Sequence, residues 1–520
     1  MIHYLPLSMD AGYIDRTIAQ AKQRGVRAIQ FSHKLCHHAE DVLNNPEHAA
    51  QVAAMVQAVR AAGLEAWCWS HEFSAPPEEF LDADKRLRCD DPGLAEHLQK
   101  RYARLCTQVL PGLSGVIITF AECAYPVYQD HRVVSEYSRS ERTRRLIDQL
   151  YDALKPHGVR LAVRDFVYRV DEVEAMGEAL AGLPEDVVIM SKAVPHDWHP
   201  DYPINPLIGA FPRHEQWVEH DFGLEYEGQH LLPYANVATI SQRIEEERRR
   251  GAAAWCLRLD RYTGQLGQSA LSTPWGDVML RVAHAVASGA SASSVQHQWE
   301  HEHFPGAAAW LREATDCVRR TLFPRGQWYG NHSNIPTFGY AQTHLSGGNA
   351  DRLAAWSGDP ADAFNEQAMA QMPAGWRAIM VAEGDAEARR AQALAQFLED
   401  QTDLGPAAEA WRSGAQRLQM WAGLLAAHRR AYFAIRAAEE GDTTVTSKDV
   451  TQAIDAFAEI AQAASGPLQS CRLEGRRLDS QGSNSHDRFA PFTIDSDQRQ
   501  DWANVVVSLR SAAQRAFAKE

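Results

Sequence analysis

Three acids, Glu122, Asp197 and Glu225, follow short apolar runs at positions where chemistry is often placed. Glu122 lies in SGVIITFAECAYPVYQ, Asp197 follows VVIMSKAVPH, and Glu225 follows WVEHDFGL. An acid at the C-terminal end of a strand, followed by a loop, is where a parallel barrel carries its reacting groups. Acids paired in this way suit a glycosidic bond. One carboxyl protonates the leaving oxygen, and another activates water or attacks the sugar. The apolar residues 117–121 predict a raised pKa for Glu122, as a proton donor requires. Each acid alone reads as a loop charge; their joint placement on successive strand ends points to catalysis.

Other polar residues recur at the same kind of position. Arg164 and Lys192 end strand-like runs and are candidates to hold a substrate carboxylate, Arg in bidentate fashion. Their alternative role is to neutralise the nearby acids as structural ion pairs. His33, His71 and Glu72, and Arg258, Asp260 and Arg261, also close such runs and are candidates for sugar hydroxyls. Trp69, Tyr168, Trp198 and Tyr226 either stack on a sugar face or pack.

These residues must be held by regular elements. Strand-like runs fall at 2–7, 26–32, 64–70, 115–121, 159–167, 187–191, 216–222 and 252–259. Helical patterns at 11–23, 46–62, 93–109, 138–154, 171–183, 239–250 and 274–288 separate most of them. Alternating units of this kind imply a parallel sheet, and eight of them imply a (β/α)₈ TIM barrel over residues 1–290. Between Ser191 and Gln216 no helical period is present, which predicts a long loop over the site. After the small-residue junction SGASASS the pattern is helical at 295–322, 385–400, 407–440, 448–465 and 496–519, predicting an all-α domain over 291–520. Thr446 and Asp449 have capping-box spacing. The aromatic, polar stretch 325–344 has no period. It is either a loop reaching the barrel mouth or a packed surface loop.

Composition narrows the partners. The net charge of −15, with basic residues interspersed among acids, argues against nucleic acid. The eight cysteines form no CxxC pair and read as reduced thiols. No basic region and apolar run open the chain, and no stretch approaches the roughly 18 apolar residues of a membrane span, so a cytoplasmic protein without a membrane partner is expected. GxGxxG and GxSxG are absent, so neither a nucleotide cofactor nor a serine hydrolase is expected. His297, His301 and His303 read as an exposed helix face, and Cys36, His37 and His38 as a strand-end loop, so no metal or other cofactor is expected.

From Leu64 to Asp260 the chain resembles the α-glucuronidases of glycoside hydrolase family 67. The resemblance runs in order through WSHEFSAP, SGVIITFAE, LAVRDFVY, VIMSKAVPHDWHPDYPINPLIGAFP and WVEHDFGLEYEGQH. It implies Glu122 as general acid, Asp197 and Glu225 as candidates for the base, Glu219 as a structural or site acid, and Arg164 and Lys192 as carboxylate binders. It further implies an inverting enzyme releasing glucuronic acid from xylo-oligosaccharides, with a helical C-terminal domain, often dimeric. The chain departs from the family in lacking its N-terminal β-domain and in carrying Ile118 where the family has a second lysine. A uronate would then rest on Arg164 and Lys192, and a neutral glycoside is the alternative substrate. A carbohydrate-binding protein without turnover is a second class. A third is an isomerase or lyase with a metal among His33, His71, Glu72 and Asp197.

Overall fold

The computed structural model describes residues 1–264, 267–330, 332–345, 353–371, 373–468 and 496–518. Eight parallel strands close into a barrel: β1 (Ile2–Leu5), β2 (Ala28–Phe31), β3 (Glu65–His71), β4 (Gly115–Thr119), β5 (Arg160–Arg164), β6 (Val188–Lys192), β7 (Gln216–Asp221) and β8 (Ala254–Arg258). Every expected strand is present, shifted or trimmed by a few residues where the chain leaves the sheet. Helices follow most strands, and none spans the stretch between Lys192 and Gln216, as the missing period predicts. Helix starts are capped by their own sequence: Asp10 accepts from the Tyr13 amide, and Thr273 from the Gly276 amide ahead of Pro274.

The two-residue period of the strands decides which side chains meet inside. Trp67, Trp69 and His71 of β3 face one way, as do Ala162 and Arg164 of β5, Met190 and Lys192 of β6, and Glu219 and Asp221 of β7. A buried cluster of Leu5, Trp67, Trp69, Ile117, Met190 and Trp217 fills the lower interior. Trp67 and Trp217 meet edge to face at 4.7 Å, and Gly115 gives Trp67 its room, since any side chain there would overlap the ring. Above this apolar floor the same faces become polar. Register aligns His71 with Thr119, Thr119 with Arg164, Lys192 with Glu219, and Asp221 with Arg258, so the charged residues form one rim at the C-terminal end.

Every named element from Ala292 onward is helical. The expected helix 295–322 is two, Ala292–His301 and Ala307–Leu322. Pro305 interrupts it, and Gly306 turns with φ 87°. The expected helix at 385 begins eleven residues earlier, as Ala374–Glu399. Helices Ala408–Glu439, Ser447–Leu468 and Ser496–Phe517 stand close to expectation. The Thr446 and Asp449 side chains cap each other's amides as their spacing predicts. Stretch 325–344 runs into the unforeseen helix Phe338–Leu345, and His332 and Ser333 before it reach the barrel mouth. Seven cysteines are free and buried; Cys471 lies outside the described residues. No helix among the described residues is long and apolar enough to cross a membrane.

Candidate active site

Glu122 follows β4 in a left-handed backbone conformation, φ 56°, that an L-residue adopts only under constraint. The constraint is visible: its amide donates to the Tyr168 hydroxyl at 2.5 Å. The Tyr168 hydroxyl thereby helps to fix the backbone that carries the acid. His33, Leu224, His332 and Ser333 share this backbone conformation around the mouth, a concentration of strain typical of functional sites. The Glu122 carboxylate receives Arg164 Nη1 at 3.2 Å and lies 3.4 Å from His71 Nε2, both on Oε2.

Arg164 also donates from Nε to Glu219 at 2.8 Å, so one buried guanidinium ties two acids together. It lies 5.0 Å over the Trp69 ring, which is fully buried as part of the floor. Lys192 donates to Asp197 at 3.0 Å, and the other Asp197 oxygen accepts from the Tyr226 hydroxyl at 2.6 Å. Trp198 is covered by cations, with Lys192 at 4.2 Å and Arg258 at 5.2 Å from its ring. Such contacts help to hold the cations in place, and Trp198 itself is 6% exposed.

Glu225 is enclosed. Arg258 and Arg261 each approach it at 2.7 Å, and His332 lies 3.6 Å away. Arg258 also pairs with Asp221 at 2.9 Å. The acids thus divide by access: the Glu122 and Asp197 side chains are 32% and 31% exposed, whereas Glu225 and Glu219 are 6% and 2% exposed. Of these four, only the first pair is open to solvent.

Electrostatics correct one expectation. Burial pushes Glu122 upward, as the apolar run predicted, but the contact with His71 and the charges of Arg164 and Lys192 outweigh it and hold the carboxyl well below its ordinary range. Burial likewise raises Asp197, and Lys192 together with the Tyr226 hydroxyl brings it below its usual value. Arg261 and Arg258 do the same for Glu225 against its burial. Unliganded, all three are carboxylates.

Glu72 is a second correction. It follows His71 by one residue, so the pleat sends it to the outer face of the barrel. There it is fully buried, paired with Arg101 and bonded by the Tyr102 hydroxyl at 2.5 Å, out of reach of a sugar. Asp260 is likewise internal, accepting from the Leu7 amide at 2.9 Å and the Tyr13 hydroxyl at 3.0 Å. Among the described residues, no group of three or more His, Cys, Asp or Glu is gathered closely enough to hold a metal ion; His33 and His71 are ring neighbours, while Glu72 pairs with Arg101 and Asp197 with Lys192.

Three contributors were not foreseen. Asp221 shares the inward face of β7 with Glu219, which its spacing of two could have shown. His37 stacks on His71 with ring centroids 3.8 Å apart. His332 comes from the aperiodic stretch and packs edge-on against Tyr226 at 4.8 Å. Its neighbour Ser333 donates to the Glu225 carbonyl at 2.9 Å and accepts from the Gly228 amide at 2.8 Å. A loop reaching the barrel mouth is one of the two readings of that stretch, but nothing local in the sequence singles out His332 or Ser333.

The fold and rim define a (β/α)₈ barrel whose C-terminal mouth carries interlocked acids and cations, extended by a helical region. Over its whole length this architecture is similar to a GH138 enzyme targeting pectin rhamnogalacturonan II, with TM-score 0.56, 10% identity, and coverage of 100% of this chain and 83% of that one. A slighter overlap, TM-score 0.47 at 10% identity, covers 89% of this chain and 58% of a GH115 4-O-methyl-α-glucuronidase with specificity for decorated arabinogalactans. Neither is of family 67. No protein-family model matches the chain, and no curated protein matches it in sequence.

Proposed function

We propose that the protein is a glycoside hydrolase in which Glu122 donates a proton to the leaving oxygen and Asp197 activates water. The observation that carries this reading is the pair of carboxylates, Glu122 and Asp197, each about one-third open to solvent and each clamped by a buried cation. Glu225, enclosed by two arginines, serves as the electrostatic frame that fixes Arg258 and Arg261. An inverting reaction follows if the two carboxyls stand about 6.5–9.5 Å apart around a water. Bond cleavage leaves the electron pair on the departing oxygen, which takes the Glu122 proton, while water adds to the anomeric carbon and gives its proton to Asp197.

The sugar we infer is a uronic acid such as glucuronic acid, held by the remaining donors of Arg164 and Lys192. A second reading, a neutral sugar, is favoured by one observation. The rim cations Arg164, Lys192, Arg258 and Arg261 are each already paired with a rim acid, so a substrate carboxylate must compete with them. Hydrolysis of 4-nitrophenyl α-glucuronide, uronic-acid-substituted xylo-oligosaccharides and their neutral counterparts separates the two. Glu122→Gln and Asp197→Asn are each expected to lower kcat about 10²–10⁴-fold on unactivated substrates. Glu122→Gln should cost little where the leaving group needs no proton. Undiminished kcat in Glu122→Gln on an oligosaccharide would remove the assignment.

A further inference from the structure

The hydrolase reading needs an acid, yet Glu122 is held as a carboxylate. The hydrogen bonds of His71 offer a source for its proton. His71 Nδ1 lies 2.7 Å from the His37 carbonyl oxygen, which can only accept, so Nδ1 carries a hydrogen. In a neutral imidazole Nε2 would then present a lone pair. That nitrogen is fully buried, and the polar atom it approaches is Glu122 Oε2 at 3.4 Å. Two acceptors facing each other in a buried site repel, and a hydrogen between them removes the conflict.

We propose that His71 and Glu122 hold one proton in common, that it rests on His71 Nε2 in the unliganded protein, and that His71 is the positioning residue that loads Glu122 for proton donation. The proposal rests on the hydrolase reading for its catalytic part only. The surrounding groups are compatible with it. His37, stacked on the His71 ring, and His33, 5.7 Å away, come from the loop after β2, and burial with nearby positive charge keeps both neutral. Neither of these two rings therefore opposes a charge on His71, and the charge of His38, beyond His37, is balanced by Glu40 and Asp41. Trp69 flanks the ring from β3 at 5.9 Å. Arg164 from β5 and Lys192 from β6 act on the carboxylate, with Glu219 and Asp197 as their own counter-charges, and Arg261 faces His33.

The step balances. The Nε2 proton passes to Glu122, giving neutral imidazole and a carboxylic acid. The acid gives that proton to the glycosidic oxygen as its bond to the anomeric carbon breaks, and Glu122 is again a carboxylate. Asp197 releases the proton it took from water, and His71 regains one from solvent.

The test uses the full chain labelled with ¹⁵N-histidine, at pH 7 and without ligand. Resonances lost in His71→Gln identify the ring. Both His71 nitrogens are expected to be protonated in the wild type, and the ring should become the neutral Nδ1–H form in Glu122→Gln. A bare Nε2 in the wild type, or an imidazolium that persists in Glu122→Gln, would overturn the proposal. If His71→Gln does not fold, the ring is the one whose protonation changes in Glu122→Gln, whose side chain is partly exposed; no ring changing would be equally fatal. A kinetic arm uses 4-nitrophenyl α-glucuronide and the corresponding oligosaccharide. His71→Gln should lower kcat for the oligosaccharide at least tenfold, leave KM within twofold, and displace the alkaline limb of the pH profile. An unmoved limb would leave His71 a structural role and overturn the loading step. Absence of turnover on these substrates and on their neutral counterparts would refute the hydrolase reading while the resonance result stands on its own.

Discussion

Replacing Arg164 with methionine probes the central brace of the site. The guanidinium is 4% exposed and joins Glu219, 2% exposed, at 2.8 Å to Glu122 at 3.2 Å. Methionine fills much of the same volume, so the main effect is electrostatic: a buried carboxylate and a half-buried one lose their shared cation. Removing one partner of a buried pair typically costs about 3–5 kcal/mol, because the remaining charge is left uncompensated. At roughly 2 °C per kcal/mol for a unit of this size, the expected fall in Tm is about 6–10 °C at pH 7. Calorimetry at several pH values measures it. Glu122 lies below its usual range in the folded protein, so its contribution is present above its unfolded pKa and fades as pH falls through the folded value. The gap between wild type and Arg164→Met must therefore narrow toward acid pH. Adding Glu219→Gln should recover most of the loss, since the stranded charge is gone. A destabilisation below about 1 kcal/mol, the range of an exposed pair, or a double variant no better than the single one, would refute this account of the brace.

Three other outcomes are expected. Burial, opposed by the Ser191 hydroxyl and Arg164, pushes Asp165 up to about 7, so its stabilising protonation is complete below its unfolded pKa and lost as pH rises to 7. Asp165→Asn should accordingly gain on the wild type between pH 5 and pH 8, on the order of 1–4 kcal/mol by thermal unfolding; an equal or smaller difference at pH 8 would contradict the sign. Gly115→Ala places a methyl against the Trp67 ring and should cost about 1–3 kcal/mol, partly restored by Trp67→Leu, with urea midpoints as the readout. Trp421→Phe removes the indole donor to the Ser333 carbonyl at 3.1 Å, and hydrogen exchange at the Gly228 amide should quicken while β4 and β5 stay protected. Unchanged exchange would show that the loop does not depend on this bond.

Much of the barrel was legible because its strands are short apolar runs punctuated by helical periods, and because acids and cations recur at their ends. Glu122, Arg164, Lys192 and Asp197 all reached the rim by that rule. Glu72 did not, since proximity in sequence ignores the parity of the pleat that turns it to Arg101. The pKa of Glu122 was misjudged for a related reason. Its local run is apolar, but the groups that decide its state come from β3, β5 and β6, tens of residues away. His332 was invisible because its place depends on a loop between helices reaching across to Glu225. The split helix near Pro305 shows the opposite case, a local breaker overruled by attention to the surrounding period.

The stitching of Ser333 to both halves of the molecule has a consequence for biosynthesis. Once Arg261 has emerged from the ribosome, the barrel can close with every strand in place, yet His332 has no fixed position. Its neighbour Ser333 is held through Trp421, whose ring lies 6.2 Å from that of Trp502 in one of the last helices. The mouth is thus finished only after the helices that carry Trp421 and Trp502 have been made. Until then the nascent chain carries a formed cup with an unfinished lip.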